Sequence, residues 1–317
     1  MRKCLVIALL VALSGCGKKV QVAQSDLTER DRDLYQDAMK SLDKSRFTTG
    51  RLLLQNLMQS YPDSEFAPQA KYAVAESFYY ESGHSNLLSA EGEYRNFITF
   101  FPTHDLADDA QLKIAMTHIK QLQRPDRDDT EARLAEFELT SMLNNPNYSD
   151  SPLLNEAKEK LRYVQEVLAE SIFGPAKQYY LRRAYPAVID RCEEITRKYP
   201  DFTGMDRVLF LLAESKRKVE LPQESVNYYV QIVRDYPLSD LAKESKKRLN
   251  AMRVPVPDVN PIALNRARQA QVEGKGVLGW LSLGVLKGGG SGISTETGAA
   301  SVKDKGGQLS IDPGKEQ

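Results

Sequence analysis

Apolar side chains recur every three or four positions through much of the chain, which is the spacing of one face of an α-helix. The helical segments are interrupted by short junctions in which an aromatic residue precedes proline: Tyr61-Pro62, Phe101-Pro102, Tyr199-Pro200 and Tyr236-Pro237. The aromatic residue closes one helix, proline prevents its continuation, and Asp, Ser or Thr then caps the next helix. The pattern therefore predicts a series of helices joined at similar junctions.

The junctions and the helices after them form an internal repeat. The stretch that begins at Tyr61 returns at Phe101 without a gap, so that Val74 corresponds to Ile114. A single helical hairpin cannot bury its apolar face alone, and successive hairpins must therefore stack. We predict an all-α fold, a tetratricopeptide-like α-solenoid of about five helical hairpins plus a capping helix, with a disordered C-terminal tail.

The predicted solenoid spans residues 28–253, with N-terminal repeats at 28–123 and C-terminal repeats at 128–253. Thr28 and Asp31 are expected to cap its first helix. These boundaries leave short segments of different character at both ends of the chain.

One helical pattern runs unusually far, from Leu153 towards Arg182, and contains Gly174-Pro175. Proline inside a helix removes a hydrogen bond and costs about 3 kcal/mol. We therefore expect a kink at this position.

The tail, residues 254–317, is rich in proline and glycine and is predicted to be mostly disordered, apart from a short helix at Ile262 to Val272. Residues 274–317 contain 12 of the 19 glycines and a single aromatic residue, Trp280. Within them, Val277 to Leu286 is apolar but too short to span a membrane. This segment either binds a partner or a lipid surface, or folds back on the solenoid.

The first residues are typical of a bacterial export signal. Basic Arg2 and Lys3 precede the apolar run Leu5 to Leu13, which is too short to cross a bilayer. The run ends in Leu13-Ser14-Gly15-Cys16, which resembles the lipoprotein box that signal peptidase recognises through the three residues before the cysteine. An ordinary signal with a chance cysteine is the alternative. We expect a signal peptide at 1–15 and a lipidated tether at 16–27, with lipid attached to Cys16 and no other cofactor.

Charge and cysteine content exclude several classes of protein. Lys and Arg together number 43, as do Asp and Glu, a balance that argues against nucleic-acid binding. With Cys4 in the signal and Cys16 lipidated, Cys192 has no partner for a disulfide, and it is expected to be a small buried residue.

No catalytic or metal-binding arrangement stands out. The three histidines, His84, His104 and His118, do not have the spacing of a metal site. We therefore predict a protein that is not an enzyme and holds no metal.

The order of these features resembles the BamD family, the tetratricopeptide-repeat lipoproteins of the outer-membrane β-barrel assembly machinery. The resemblance covers roughly residues 16–253 and rests on the lipoprotein box, the aromatic-proline junctions, Arg127-Asp128 at a helix start, and Arg182-Arg183-Ala184-Tyr185 with Ala187 and Arg191. The chain departs from the family at Asn145-Pro146, at Pro175 and in its glycine-rich tail.

The resemblance implies a scaffold that is lipid-anchored in the outer membrane of a Gram-negative-type bacterium and faces the periplasm. Its N-terminal repeats would receive unfolded outer-membrane proteins, and its C-terminal repeats would hold the barrel-forming BamA-like subunit. Other lipoproteins of the complex are possible further partners. A different periplasmic repeat lipoprotein, serving cell division or envelope maintenance, is the main alternative, and a repeat-containing hydrolase is a third.

Two groups of residues are candidates for these roles. Aromatic residues of the N-terminal repeats could line a groove for a substrate peptide: Tyr35, Tyr72, Phe78, Tyr79 and Tyr80. Tyrosine and arginine, which concentrate at interfaces, suggest a partner face further along: Tyr180, Arg182, Arg183, Arg191 and Arg197. The alternatives are that the first group is hairpin core and that the second is a solvated helix face.

Overall fold

The computed structural model describes residues 24–272, with side chains described between residues 30 and 270. Within this range the chain forms twelve α-helices and one short 3-10 helix, without a β-strand. The described residues form two compact units, one ending at Ser77 and the other beginning at Phe78. The all-α fold class is thus confirmed.

The helices lie in the order that the junctions predict. In the first part of the chain they are α1 (Gln24–Asp43), α2 (Phe47–Ser60), α3 (Ala67–Glu81), α4 (His84–Phe100), α5 (Ala107–Ile119) and α6 (Thr130–Asn144). A 3-10 turn (Pro146–Tyr148) leads to α7 (Leu154–Leu181), α8 (Tyr185–Lys198), α9 (Met205–Lys218), α10 (Pro222–Asp235), α11 (Asp240–Ala251) and α12 (Pro261–Val272). From α4 to α11 each helix packs against the next, and α9 also contacts both α7 and α11. This packing of neighbouring hairpins is that of a tetratricopeptide-like solenoid.

The aromatic-proline junctions end four helices in the same way. An aromatic residue stands directly after the last residue of α2, α4, α8 and α10, and its backbone N–H donates to the carbonyl four residues earlier: Tyr61, Phe101, Tyr199 and Tyr236. The proline that follows cannot supply the next N–H, so the helix stops there. The predicted helix stop is therefore confirmed, but the predicted Asp, Ser or Thr cap is wrong for α5 and α9, where Leu106 and Gly204 stand at the cap without a side-chain hydrogen bond.

A serine after the junction starts the next helix. The Ser239 hydroxyl accepts a hydrogen bond from the backbone N–H of Leu241 at 3.1 Å and donates one to the Asp206 carboxylate. Ser64 and Ser151 make the same two kinds of bond. Ser239 therefore caps α11, and all three serines tie the start of a helix to an earlier helix.

The turns within the hairpins share a second feature, a residue with a left-handed backbone. The residues with positive φ that are not glycine are Ser45, Ser82, Arg183, Glu220 and Arg253, and each follows the first helix of a hairpin or the capping helix α11. In the turn after α9, the N–H of Leu221 donates to the carbonyl of Lys216 at 3.0 Å, which satisfies a carbonyl at the helix end.

The beginning of the solenoid differs from the prediction. Helix α1 begins at Gln24, so the expected tether is wrong for residues 24–27, and Thr28 lies inside the helix rather than at its cap. Neither proline nor glycine occurs between Val20 and Thr28 to stop the helix from extending. Asp31 is instead buried, and its carboxylate accepts a hydrogen bond from Ser64 at 2.6 Å.

Helix α7 continues through Pro175 as one element of 28 residues. Proline removes only the backbone bond to the carbonyl of Ser171, and the neighbouring Phe173 and Ala176 are buried and hold the segment in place. A bend without a break, the kink that the sequence suggests, stays a prediction.

Beyond the capping helix α11, the chain packs back on the last hairpin. Val254 packs against a cluster that includes Tyr229 and Leu249, and the predicted short helix is confirmed as α12. The signal, Cys16 and the apolar stretch 277–286 lie outside the described residues.

Candidate interaction surfaces

Two of the predicted groove residues lie in the core of the unit that ends at Ser77. Tyr35 is 7% exposed and stacks on Phe66 with 5.2 Å between ring centroids, and burial raises its pKa to about 12. Tyr72 is also buried, and its hydroxyl lies 3.4 Å from a carboxylate oxygen of Glu76. These two tyrosines are hairpin core, so they cannot line an open groove without rearrangement.

Tyr79 and Tyr80 form one cluster with two lysines in the other unit, and we name it the Tyr80 cluster. Lys120 Nζ lies 3.4 Å from the ring centroid of Tyr79, and Lys113 Nζ lies 5.6 Å from that of Tyr80. Tyr79 is buried and meets Tyr80 edge to face, whereas Tyr80 is 40% exposed. Half-buried Phe78 precedes them. Tyr80 is thus the groove candidate that offers its ring to solvent.

The partner-face candidates centre on the turn between α7 and α8. Arg182 and Arg183 are exposed there, and they follow Leu181, whose side chain is 74% exposed. Half-buried Tyr180 packs edge to face on Tyr185 with 5.8 Å between ring centroids. The turn combines an apolar side chain, two guanidinium groups and an anchored tyrosine, a composition enriched at protein interfaces.

The backbone fixes this turn in one conformation. The N–H of Arg183 donates to the carbonyl of Tyr180, and the N–H of Ala184 donates to that of Tyr179, both at 3.0 Å. Arg183 has a φ of 60°, a conformation that glycine usually supplies at a helix end. An arginine in this position carries a backbone cost and holds its charged side chain at the tip of the hairpin.

Arg191 and Arg197 do not join that turn. Arg191 is exposed along α8 with Glu194 at 3.7 Å, and Glu194 also binds Lys198 at 2.7 Å. The hydrogen bond from Lys198 is the largest influence that lowers the pKa of Glu194. Arg197 lies in the last turn of α8, roughly 18 Å along the axis from Tyr185 at 1.5 Å per residue. The five candidates therefore occupy at least two separate places.

Behind Tyr180 lies a buried carboxylate that sequence reasoning missed. Glu214 on α9 accepts hydrogen bonds from Tyr229 at 2.7 Å, from Arg217 at 2.7 Å and from Arg248 at 2.6 Å. Burial raises the pKa of Tyr180, and the negative charge of Glu214 raises it further. We name Glu214 and its three partners, Arg217, Tyr229 and Arg248, the Glu214 network.

The Glu214 network joins α9, α10 and α11 around one charge, close to the tyrosine that anchors the α7–α8 turn. One feature of the sequence indicates that Glu214 is buried: it follows the apolar Leu212-Ala213 on a helix that is largely buried. Two of its partners, Tyr229 and Arg248, are however 15 and 34 positions away and lie on two other helices. The network therefore links these three helices through one buried carboxylate.

Other features of the described residues do not indicate catalysis. Between residues 24 and 272, His, Cys, Asp and Glu do not form a group of three or more that could hold a metal ion. Cys192 is fully buried, as predicted, and burial raises its pKa to about 12. A pocket of about 250 Å³ beside Tyr199 is bordered by Arg162 and Lys198, which already pair with Glu166 and Glu194.

None of the helices from Gln24 to Val272 combines the length and the apolar composition needed to cross a bilayer.

Comparison with known proteins places the chain in a family. The YfiO family, described as an outer membrane lipoprotein, matches residues 28–229, which is more than half of the chain. The outer membrane protein assembly factor BamD of Vibrio cholerae serotype O1 is 24% identical over 198 residues, covering 59% of this chain and 80% of that protein. BamD of Neisseria meningitidis serogroup B is 23% identical over 256 residues (76% and 93%), and BamD of Haemophilus influenzae is 26% identical over 223 residues (68% and 82%). The chain belongs to the YfiO family of outer membrane lipoproteins.

Proposed function

We propose that this protein is a non-enzymatic scaffold of the complex that assembles β-barrel proteins in the outer membrane. Its C-terminal repeats bind a barrel-forming subunit of BamA type, and its N-terminal repeats bind unfolded outer-membrane proteins before their insertion. Relatives named outer membrane protein assembly factors support the assembly role. The exposed turn between α7 and α8 supports the docking role.

Lipid on Cys16 anchors the scaffold in the outer membrane on its periplasmic side, after removal of residues 1–15. Two or more acyl chains on one residue give stable membrane attachment without a transmembrane helix. Other lipoproteins of the assembly complex are further partners. Metabolic labelling with palmitate tests the anchor, and a mature chain without label would contradict it.

The observation that carries the docking proposal is the exposure of Leu181, Arg182 and Arg183 on a turn whose backbone is fixed by two hydrogen bonds. A preorganised surface loses little conformational entropy when a partner binds. Aliphatic and guanidinium groups side by side suit a partner surface that offers a carboxylate beside an apolar patch.

Charge reversal at this turn tests the proposal. Arg182→Glu combined with Arg183→Glu should reduce co-purification of the barrel-forming subunit from detergent-solubilised envelopes by at least tenfold, since it places like charges against the acidic partner. Neither arginine takes part in an ion pair among the residues that the structure describes, so helix content by circular dichroism should not change.

The matched control is Lys243→Glu combined with Lys247→Glu, two exposed lysines on α11 that make only weak pairs within their own helix. Equal loss in both double variants would indicate a general charge effect. Unchanged co-purification in the arginine variant would remove the α7–α8 turn from the docking surface.

The proposed peptide site is the Tyr80 cluster. Its exposed ring offers an apolar contact, and Lys113 and Lys120 set positive charge beside it. An extended peptide with aromatic side chains could pack on Tyr80 while the lysines attract its acidic groups. Binding of a labelled peptide from the end of an outer-membrane protein tests this site.

A further inference from the structure

The Glu214 network places two arginines around one buried carboxylate. Arg217 Nη2 lies 2.7 Å from Glu214 Oε2, and Arg248 Nε lies 2.6 Å from Glu214 Oε1. The side chain of Glu214 is 6% exposed, whereas those of Arg217 and Arg248 are 34% and 39% exposed. One arginine would neutralise the carboxylate, so the three side chains carry one positive charge in excess, and the arginines meet the solvent.

The next charged residues do not cancel this excess. Glu244 Oε1 lies 3.5 Å from Arg248 Nη2, but Glu244 also pairs with Lys247 at 3.3 Å. Those two side chains have opposite charges and leave the balance unchanged. Among the residues that the structure describes, Arg217 forms an ion pair with Glu214 alone. An anion that approached Arg217 and Arg248 would therefore meet a net positive charge.

Both guanidinium groups keep hydrogen-bond donors for a ligand. An arginine has five N–H groups in a planar fork, and Glu214 accepts a hydrogen bond from one nitrogen of each arginine. Arg217 Nε is buried and has no hydrogen-bond partner within the described part of the chain. Because one buried carboxylate holds both side chains in place, a ligand would bind them with little loss of conformational entropy.

Tyr180 adds a neutral donor to this group. Burial raises the pKa of Tyr180, the charge of Glu214 raises it further, and Arg217 and Arg248 act in the opposite direction. Its hydroxyl therefore lies within the field of all three charged groups and stays protonated at neutral pH. A protonated phenol can donate a hydrogen bond to a carboxylate.

We propose that Arg217, Arg248 and Tyr180 form a binding site for a carboxylate group on an extended peptide segment of another protein. The arginines pair with the carboxylate oxygens, and Tyr180 donates a hydrogen bond to one of them. Leu181, next in the chain, is 74% exposed and offers an apolar contact to the residues beside the carboxylate. The site is defined by its charge chemistry and does not depend on the proposed role in barrel assembly.

The excess of one positive charge favours a carboxylate over a phosphate group. A carboxylate carries one negative charge, which balances the excess, whereas a phosphate monoester carries about 1.5 to 2 at pH 7. A second negative charge close to buried Glu214 would be left without a partner, which is unfavourable. A chain-terminal carboxylate and the side chain of Asp or Glu share the required chemistry, so both are compared.

Three small probes test the site on the lipidated mature full-length protein in detergent. N-acetyl-glutamyl-tyrosinamide presents a side-chain carboxylate, N-acetyl-tyrosine presents a terminal one, and N-acetyl-glutaminyl-tyrosinamide has the shape of the first without its charge. Isothermal titration calorimetry measures affinity, and the Nε–Hε NMR signals of Arg217 and Arg248 locate binding. We expect the dissociation constant of the glutamyl probe to be roughly five- to tenfold below that of the glutaminyl probe, as for one charge-assisted contact. The tighter of the two carboxylate probes identifies the source of the group.

Lysine substitutions show whether binding needs the planar donors. Arg217→Lys with Arg248→Lys keeps both charges beside Glu214 but removes the paired N–H groups, so the preference for the glutamyl probe should fall to less than about twofold. Arg127→Lys, at an exposed position outside the network, is the matched control and should keep the preference. Circular dichroism and thermal unfolding verify that both variants remain folded. The comparison of charged and uncharged probes on the unsubstituted protein needs no variant.

Three results would overturn the inference. The first is equal affinity of the glutamyl and glutaminyl probes. The second is carboxylate binding that shifts other arginine signals but not those of Arg217 and Arg248. The third is tighter binding of inorganic phosphate than of either carboxylate probe. Co-purification of the barrel-forming subunit is scored separately, so failure of the carboxylate site and failure of the docking role are distinguishable.

Discussion

The Asp206 carboxylate in the first turn of α9 accepts a hydrogen bond of 2.5 Å from the hydroxyl of Ser239, the residue that caps α11. The two residues are 33 positions apart, as are Asp31 and Ser64, which are joined in the same way. Asp108 and Ser151 repeat the bond across a longer repeat. The recurring serine therefore connects the first helices of consecutive repeats.

Loss of this connection should destabilise the fold. Ser239→Ala removes the cap of α11 and leaves Asp206 without its hydroxyl donor, so we expect a loss of about 1–2 kcal/mol in the free energy of unfolding. Urea unfolding followed by circular dichroism measures the change. Ser85→Ala, an exposed serine on α4, is the matched control and should change stability by less than about 0.5 kcal/mol.

The left-handed backbone conformation of the residues in the hairpin turns suggests a stabilising substitution. Glu220 has a φ of 63° and is exposed, so Glu220→Gly should raise the stability by about 0.5–1 kcal/mol. Asn227→Gly, in the middle of α10, should lower it by a similar amount because glycine disfavours a helix interior. Thermal unfolding compares the two variants, and a lower midpoint for Glu220→Gly would contradict the argument.

The Glu214 network should make stability fall in acid. Burial opposes ionisation of Glu214, but hydrogen bonds from Arg217, Tyr229 and Arg248 outweigh it, and its pKa is lowered from 4.5. A carboxyl whose pKa is lower in the folded protein than in the unfolded chain stabilises the fold at pH values above its unfolded-state pKa. This stabilisation is lost as the pH falls through its folded-state pKa.

Glu214→Gln should therefore cost about 2 kcal/mol at pH 7 and flatten the dependence of stability on pH below 4.5. Urea unfolding at a series of pH values measures both effects. Glu159→Gln, at an exposed position of α7, is the control. An unchanged acid profile in Glu214→Gln would show that the network does not govern this titration.

Peptide binding should depend on Tyr80 more than on other exposed aromatic residues. Tyr80→Ala should weaken binding of an aromatic-rich peptide from an outer-membrane protein by roughly three- to tenfold. Phe137→Ala removes a more exposed ring, 65% exposed on α6, and should have no effect. Fluorescence anisotropy of the labelled peptide measures both, and equal effects would contradict a specific site at Tyr80.

The sequence predicted those features that depend on neighbouring residues. Each aromatic-proline pair ends a helix by local chemistry, and Cys192 lies on an apolar face whose burial follows from helical periodicity. Periodicity does not reveal which neighbour covers a given face, so the same reasoning placed buried Tyr35 and exposed Tyr80 in one groove.

The Glu214 network shows why contacts between helices that are distant in the sequence could not be predicted. Its contacts join three helices, and only the fold brings Arg248 to within hydrogen-bond distance of Glu214. The arginines of the predicted partner face show that residues near one another in sequence need not share a surface. Arg183 and Arg197 were grouped by residue type and chain segment, but they lie at opposite ends of α8.

Photo-crosslinking from position 181 tests the central claim most directly. Leu181, 74% exposed at the tip of the α7–α8 turn, would be replaced by a photoreactive phenylalanine derivative in living cells, with Lys243 replaced in the control. The scaffold account predicts an adduct with the BamA-type barrel subunit from position 181 and none from position 243. If position 181 gave no adduct with that subunit while the protein accumulated normally, docking through this turn would be contradicted.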